Sequence, residues 1–465
     1  TDASTTDAST TDASTTDAST TDASTTDAST TDAATSATTG GPGVCGDGVV
    51  DDGEDCDDGD GVDGDGCDAD CTDSETIVVA TGGEHTCALL DTGLVRCWGE
   101  AGTGALGLGN LADIGDDELP GVVDPVELDG VAVRLATGYR HSCALLDGGA
   151  VRCWGEGQFA QLGTGALANI GDDELPTAIA PVDVGGPATQ LVTGFFHTCV
   201  VLEGGDVRCW GAGIDGQLGY GNTDSIGDDE LPSAVGPVDT GGAVVQLATG
   251  LHHTCALLEG GDVRCWGASA EGQLGYGTTE SFGDDEPASA AGLVDVGGTV
   301  TQIVAGGFHT CALLEGGAVR CWGRGLQGQL GYGSIATIGD DELPSAVGPV
   351  DTDGIVTQLA AGYFHTCALL DSGAVRCWGF GGFGELGTAD TIDIGDDELP
   401  TAVAPVDVGG DVVQIATTND HVCALLDTTG LRCWGLGASG RLGYGDSDDI
   451  GDDEAPSAAG DVQVF

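Results

Sequence analysis

Two residue sets in this chain have the types and spacing to do chemistry. The first is His-x-Cys followed by a second Cys ten residues after the first, inside Arg-Cys-Trp-Gly; it begins at His85 and occurs seven times. Thiolates and imidazole are zinc ligands, but a closed structural site wants four of them. One such unit offers only three, so paired sulfurs are the stronger expectation. The second set is acidic. Gly-Asp-Asp-Glu recurs seven times, starting at Gly115, Gly171, Gly227, Gly283, Gly339, Gly395 and Gly451, and supplies 21 acids. Asp55, Asp57, Asp58, Asp60, Asp63 and Asp65 alternate with glycine near the N-terminus. Carboxylates suit Ca2+, a hard cation that takes six to eight oxygens. Two Asp and one Glu fall short of that number, which leaves solvated acids or helix capping as the plainer reading. The 55–68 run resembles an oxygen cage more closely, although it lacks the twelve-residue loop with a terminal Glu. No cofactor is expected, with calcium in the 55–68 run as the open alternative.

Catalytic signatures are missing. There is no nucleophile elbow, no His-Glu-x-x-His and no phosphate loop, which would need a lysine the chain does not contain. Paired carboxylates are too common here to be diagnostic. The expectation is a protein that is not an enzyme.

The elements that position these residues follow from a repeat. Cys97, Cys153, Cys209, Cys265, Cys321, Cys377 and Cys433 are spaced by 56, as are Cys87, Cys143, Cys199, Cys255, Cys311, Cys367 and Cys423. Residues 74–465 make seven such units with no remainder. Equal units without length drift suit a closed ring better than an open stack, whose end units need polar caps. Within the first unit, 76–81, 85–90 and 94–99 read as short strands. The last two are joined by Asp91-Thr92-Gly93, a three-residue hairpin loop ending in Gly. About 25 Gly- and acid-rich residues follow. Then Pro125-Val-Glu-Leu128 leads through Asp129-Gly130 into the next apolar strand. Three tight connections and one long one predict four-stranded antiparallel blades, with the long loop as the crossover. On this reading 461–465 supplies the missing strand of the first blade by pairing with 76–81. Counting outward from the hairpin loop places Cys87 opposite Cys97 at a non-hydrogen-bonded pair, where Cα atoms are about 4.5 Å apart. Seven cross-strand disulfides are therefore predicted, 87–97 through 423–433, each contributing about 2–3 kcal/mol.

Outside the ring, residues 1–40 are Thr-Asp-Ala-Ser-Thr repeats and their continuation, read as a disordered stalk or linker. Residues 41–73 are a small acidic segment with Cys45, Cys56, Cys67 and Cys71, whose three pairings the sequence leaves open. The chain holds 77 acids against 11 basic residues, all arginine, for a formal charge of −66. That excludes nucleic acid and electrostatic docking on anionic lipid. No apolar run is long enough for a membrane helix. The 18 cysteines and the absence of Met point to a processed, exported chain, extracellular or at the cell surface, with a lipid or stalk tether upstream.

Within each unit the order of motifs resembles the regulator of chromosome condensation repeat. The third unit carries it as Gly194…His197…Val200, Gly205…Val207…Trp210-Gly211, Gly216-Gln217-Leu218-Gly219-Tyr220-Gly221 and Pro237-Val238. The resemblance covers residues 74–465 and implies an all-β, seven-bladed propeller. The Cys-bearing form looks like a secreted bacterial branch, and 41–73 is similar to a cysteine-rich repeat of myxobacteria. The chromatin binding and nucleotide exchange of the eukaryotic founder are not implied for so acidic a chain.

Comparing the seven units with one another separates fixed positions from free ones. His, Cys, Arg, Trp and Gly-Asp-Asp-Glu are fixed. The aligned His residues read as hydrogen-bonded scaffold, and each fixed Arg as a partner for a nearby acid. The pair before each His and the stretch after Trp-Gly are free, and both should emerge at one end of the blades. Nine aromatic residues gather in these regions. A partner-binding surface is expected from Tyr139, Arg140, Phe159, Phe195, Phe196, His252, Phe308, Tyr363, Phe364 and Phe383, since aromatics with an Arg are typical anchors. The function expected is an extracytoplasmic propeller binding a protein or glycan. The alternative is a structural part of an extracellular layer, matrix or filament that self-assembles through acidic surfaces bridged by calcium.

Overall fold

The computed structural model describes Cys56, Cys67, Asp68, Thr72 and residues 74–465. The 1–40 stalk, the six aspartates of 55–65, and Cys45 and Cys71 lie outside the described residues. A disulfide joins Cys56 to Cys67, Cα atoms 5.7 Å apart, one bridge that the sequence left open.

Seven antiparallel sheets of three strands account for the repeat. In the first blade these are an inner strand Thr76–Thr81, a middle strand His85–Leu90 and an outer strand Val95–Gly99. The hairpin register is the one the loop count demands: Leu89 faces Val95 and Cys87 faces Cys97. All seven cross-strand disulfides are present, with Cα separations of 4.0–4.1 Å. Middle strands are buried along their whole length because blades stack on both faces. The seven Trp side chains are fully buried between blades, and the seven inner strands surround one axial channel of ≈ 310 Å³.

The ring is held by a hydrogen-bond relay that repeats at each seam. His197 Nε2 lies 2.8 Å from the Thr254 hydroxyl of the next blade. That hydroxyl donates to the Gln217 carbonyl on the long loop of the third unit, and the same carbonyl accepts the Trp266 indole N–H. Because the hydroxyl gives its proton to a carbonyl, the imidazole must be the donor to it. Blade seven meets blade one by the same device. His421 lies 2.7 Å from the Thr86 hydroxyl, and Thr86 and Trp98 both donate to the Arg441 carbonyl. Where Val422 replaces the hydroxyl, His365 turns to Thr417, at 2.7 Å. In blades one to six the glycine three residues before the seam His makes room for the ring: a Cβ on Gly194 would sit 2.6 Å from His197 Cε1; in blade seven that position is Thr418. Inner-strand glutamines add a second stitch. Gln302 donates to the Leu359 carbonyl and accepts its N–H, and Gln414 does the same to Val79 across the closing seam.

Two expectations are corrected. The Pro-Val segment does not begin the next sheet. It returns to the outer strand of its own unit, as Val182 pairs with Val151 and Val238 with Val207. The tail obeys the same rule: Val462 N–H donates to the Leu431 carbonyl at 2.8 Å, and 461–465 forms no strand with 76–81. The long loop is not the crossover. It reaches over the next blade, where the Ala105 carbonyl takes the Ser142 hydroxyl and the Trp154 indole, and then comes back. The tight Gly joint makes the crossing instead, since a two-residue turn can redirect a chain between sheets as readily as within one. The fixed arginines also differ from expectation. Arg152 donates to the Pro176 and Ile179 carbonyls, and Arg376 to those of Pro400 and Val403, with Asp353 3.9 Å away. Arg432 keeps a close acid, Asp461, at 3.0 Å.

Candidate functional site: an aromatic recess at one end of the ring

The residue pair before each His sits on the short turn between inner and middle strands. Seven such turns converge around the axis, so variable side chains from different blades become neighbours. They frame a recess of ≈ 590 Å³ lined by Tyr139, Phe195, Phe196, His252, Tyr363, Phe364 and Phe383, with Leu251, Gln327, Phe380, Asn419 and Asp420. The rings touch in a continuous chain. Tyr139 stacks on Phe195 at 5.8 Å, Phe195 meets Tyr363 edge-on at 5.2 Å, and Tyr363 meets Phe364 at 4.3 Å.

Of the ten residues predicted from sequence, seven line this recess and three stand beside it. Phe308 packs against Tyr363 and Phe364 from outside. Phe159, 39% exposed, lies 4.8 Å from Phe196. It lines an adjoining hollow of ≈ 270 Å³ with Leu167, Ile214 and His252. Arg140 is engaged internally: its Nε and Nη2 contact Glu84 at 2.5 and 2.9 Å. Burial pushes the Glu84 carboxyl up, but the Arg140 guanidinium outweighs it and holds it at about 2. Glu100 is pushed up to about 7, first by its hydrogen bond with Glu84 and then by burial. Phe195 is 4% exposed and borders the axial channel as well, so one ring does plug the bore; Phe196, Tyr363 and Phe364 remain half-buried and reachable.

Sequence reasoning missed Asn419 and Asp420 as site residues. They occupy the variable pair of blade seven, but a search weighted toward aromatics passes over them. Burial pushes the Asp420 carboxyl up to about 6. Glu385, on the long loop of blade six, stands where four other units carry Gln. It is fully buried, its Oε2 accepts the Phe383 N–H at 2.7 Å, and its Oε1 has no partner. Burial pushes this carboxyl up to about 8.

The repeated acids do come together. The carboxylates of Asp116, Asp117 and Glu118, and of the matching trios, lie within 4.8 Å of one another. Three ligands from partly exposed side chains remain well short of a calcium cage. The four Tyr of Leu-Gly-Tyr-Gly are structural: Tyr220 bonds both the N–H and the carbonyl of Cys209.

The comparisons with known proteins agree with this architecture. Residues 67–335 match the RCC1-like domain, and 316–369 and 372–425 match the regulator of chromosome condensation (RCC1) repeat. The chain belongs to the RCC1-like family. It is 29% identical over 381 residues to the ultraviolet-B receptor UVR8 of Arabidopsis thaliana, covering 81% of this chain and 80% of that protein. It is 30% identical to the human E3 ubiquitin-protein ligase HERC2 over 75% of this chain, a region that is 7% of the ligase. Among solved structures, human WBSCR16 aligns with TM-score 0.62 and 22% identity, over 77% of this chain and 88% of that one. Prp20p of Saccharomyces cerevisiae aligns with TM-score 0.61 and 22% identity, over 78% and 85%.

These relatives overturn part of the sequence reading. The secreted bacterial branch and the myxobacterial repeat find no support, because the matched proteins are eukaryotic: a light receptor, ubiquitin ligases and the mitochondrial RUG3. The exported, extracellular or cell-surface placement falls with them, as do the extracytoplasmic binding role and the extracellular layer or filament. The disulfides themselves stand in the structure. The error was to read a compartment from a cysteine count, when a fixed cross-strand pair is repeated seven times by one hairpin design.

Proposed function

We propose that this chain is a protein-binding propeller, without a catalytic step of its own, that engages its partner through the aromatic recess and its rim. The observation that carries the reading is the convergence of rings from blades two, three and six on one mouth, in an otherwise strongly acidic and repetitive molecule. Large rings held by their neighbours offer contact area at little entropic cost. Two solved relatives point the same way: yeast RCC1 (Prp20) is bound to Kap60, and Prp20p has binding properties toward Gsp1p and histones. The test is affinity capture with the full chain as bait, against the double variant Phe196→Ser/Phe383→Ser. Both side chains reach solvent, so melting temperatures should agree within a few degrees. Proteins retained by the parent and lost by the variant are expected. Identical captured sets would reject the reading.

We propose that 461–465 latches the circle from outside the first sheet, between blade seven and the first unit. Two contacts support this: Val462 N–H to the Leu431 carbonyl, and Gly121 N–H to the Gln463 carbonyl at 3.0 Å. Deleting 461–465 should lower the melting temperature; an unchanged value would refute the latch.

A further inference from the structure

We infer that the recess is built to take a cationic side chain, an arginine or lysine presented by a basic segment of the partner protein. The inference rests on the protein-binding reading of this same recess and deepens it. Three observations carry it. First, the walls are π-faces, which attract a cation through the ring quadrupole. The rim already uses this: the Arg324 guanidinium lies over Phe308 and Phe364 at 5.6 and 5.2 Å, and Arg140 lies over Tyr139 at 5.4 Å. Second, an anion lines the recess. Asp420 is part of its lining, and its carboxylate accepts a hydrogen bond from Asn419 Nδ2 at 2.8 Å. It has no ion-pair partner among the described residues. Arg441, whose charge reaches it, spends donors on the Ala438 and Gly83 carbonyls instead. A partly buried carboxylate of this kind gains most from an incoming cation. Third, the space of ≈ 590 Å³ holds a long side chain together with its stem, and the formal charge of −66 draws basic segments toward the whole surface.

That overall charge also attracts any polycation, so the test must isolate one side chain. The probes are fluorescein-labelled octapeptides Gly-Ser-Gly-X-Leu-Gly-Ser-Gly with X as arginine, lysine, citrulline or norleucine, titrated by anisotropy into the full chain at 150 mM salt. Citrulline and norleucine keep shape and remove charge. The arginine or lysine peptide should bind about tenfold more tightly than its neutral twin. Asp420→Asn changes the net charge by one unit and keeps the shape. It should erase most of that difference and leave the neutral peptides unaffected, with thermal melting confirming the fold. Equal affinity of charged and neutral peptides, including no measurable binding of either, overturns the inference. So does a charged-peptide affinity unmoved by Asp420→Asn. If either happens while capture still depends on Phe196 and Phe383, the protein-binding face survives and only the cation falls. If capture ignores the rings as well, both fall.

Discussion

The seams and the recess are built from neighbouring stretches of the same seven repeats, yet they follow opposite rules. At the seams one arrangement is copied seven times: an imidazole, a hydroxyl or its stand-in, a loop carbonyl and a buried indole. At the recess no two blades contribute alike. Blades two, three and six supply rings, blade four supplies Leu251 and His252, blade five supplies Gln327, and blade seven supplies Asn419 and Asp420. A seam residue is constrained by two sheets at once, so any change opens a void or strands a polar atom. A recess residue faces space on one side and can vary without breaking the circle. The ring is thus a rigid holder, and identity resides in the few side chains it points at the axis.

The sharpest way to break this contrast is to truncate one large side chain of each kind. Trp210 is fully buried and its indole N–H serves the Gln161 carbonyl at 2.9 Å. Trp210→Ala should cost about 3–5 kcal/mol of stability. Phe196→Ala, at a half-buried ring, should cost under about 1.5 kcal/mol. Urea titration measures both. Equal losses would mean that the recess is as much a part of the core as the seam.

A seam also responds to pH. Burial pushes His197 down to about 3 from its ordinary 6.5. The unfolded chain therefore binds a proton that the folded chain refuses between those values, and the His197 contribution is lost as pH falls below 6.5. The slope is about 1.4 kcal/mol per pH unit. His197→Gln should be less stable than the parent at pH 7, through loss of the Thr254 bond, but the gap should narrow by about 2 kcal/mol by pH 5. A gap independent of pH would show that this imidazole does not sit neutral in the seam.

How much of this was legible in the sequence divides along the same line. The hairpin loop fixes the pairing of Cys87 with Cys97 by counting alone, and strict periodicity fixes the seven units. The recess was legible in outline, because the free positions reveal themselves when seven copies are compared. Two things were not. Tight and long connections do not say which of them crosses between sheets, so a count of connections assigns Val126 and Val462 to the next blade, whereas both bond the outer strand of their own unit. Nor does a Gln-to-Glu change at 385 reveal its burial, which depends on how the loop of blade six seats against blade seven.

That residue gives the third experiment. Glu385 is raised from 4.5 to about 8 by burial, so the folded chain keeps a proton that the unfolded chain has released. Its presence therefore costs nothing near pH 4, costs more as pH rises from 4.5 to 8, and stays costly above. Glu385→Gln removes this penalty and restores the residue of four other units. The variant should match the parent at pH 4 and exceed it by on the order of 2–3 kcal/mol at pH 8.5. Equal stability at both pH values would mean that the carboxyl finds water or a partner.

The smallest effect concerns a hairpin, where the seventh repeat departs from the rule of the other six. The last loop residue before the outer strand is Gly in blades one to six, with φ of 82° at Gly93 and 91° at Gly205. In blade seven it is Thr429, held at φ 67° by its N–H to the Leu426 carbonyl and by the Leu426 N–H to the Gly430 carbonyl. A β-branched residue in the left-handed region is strained by its own Cβ. The disulfide 423–433 and the seam of His421 with Thr86 fix the hairpin on either side, so the strain has no route of escape. Thr429→Gly should therefore raise stability by about 1 kcal/mol, net of the entropy glycine adds to the unfolded chain. The same exchange in reverse, Gly205→Thr, should lower it by a similar amount. If Thr429→Gly destabilises instead, the seventh hairpin is supported by contacts of the Thr side chain, and the rule of identical hairpins fails where the ring closes.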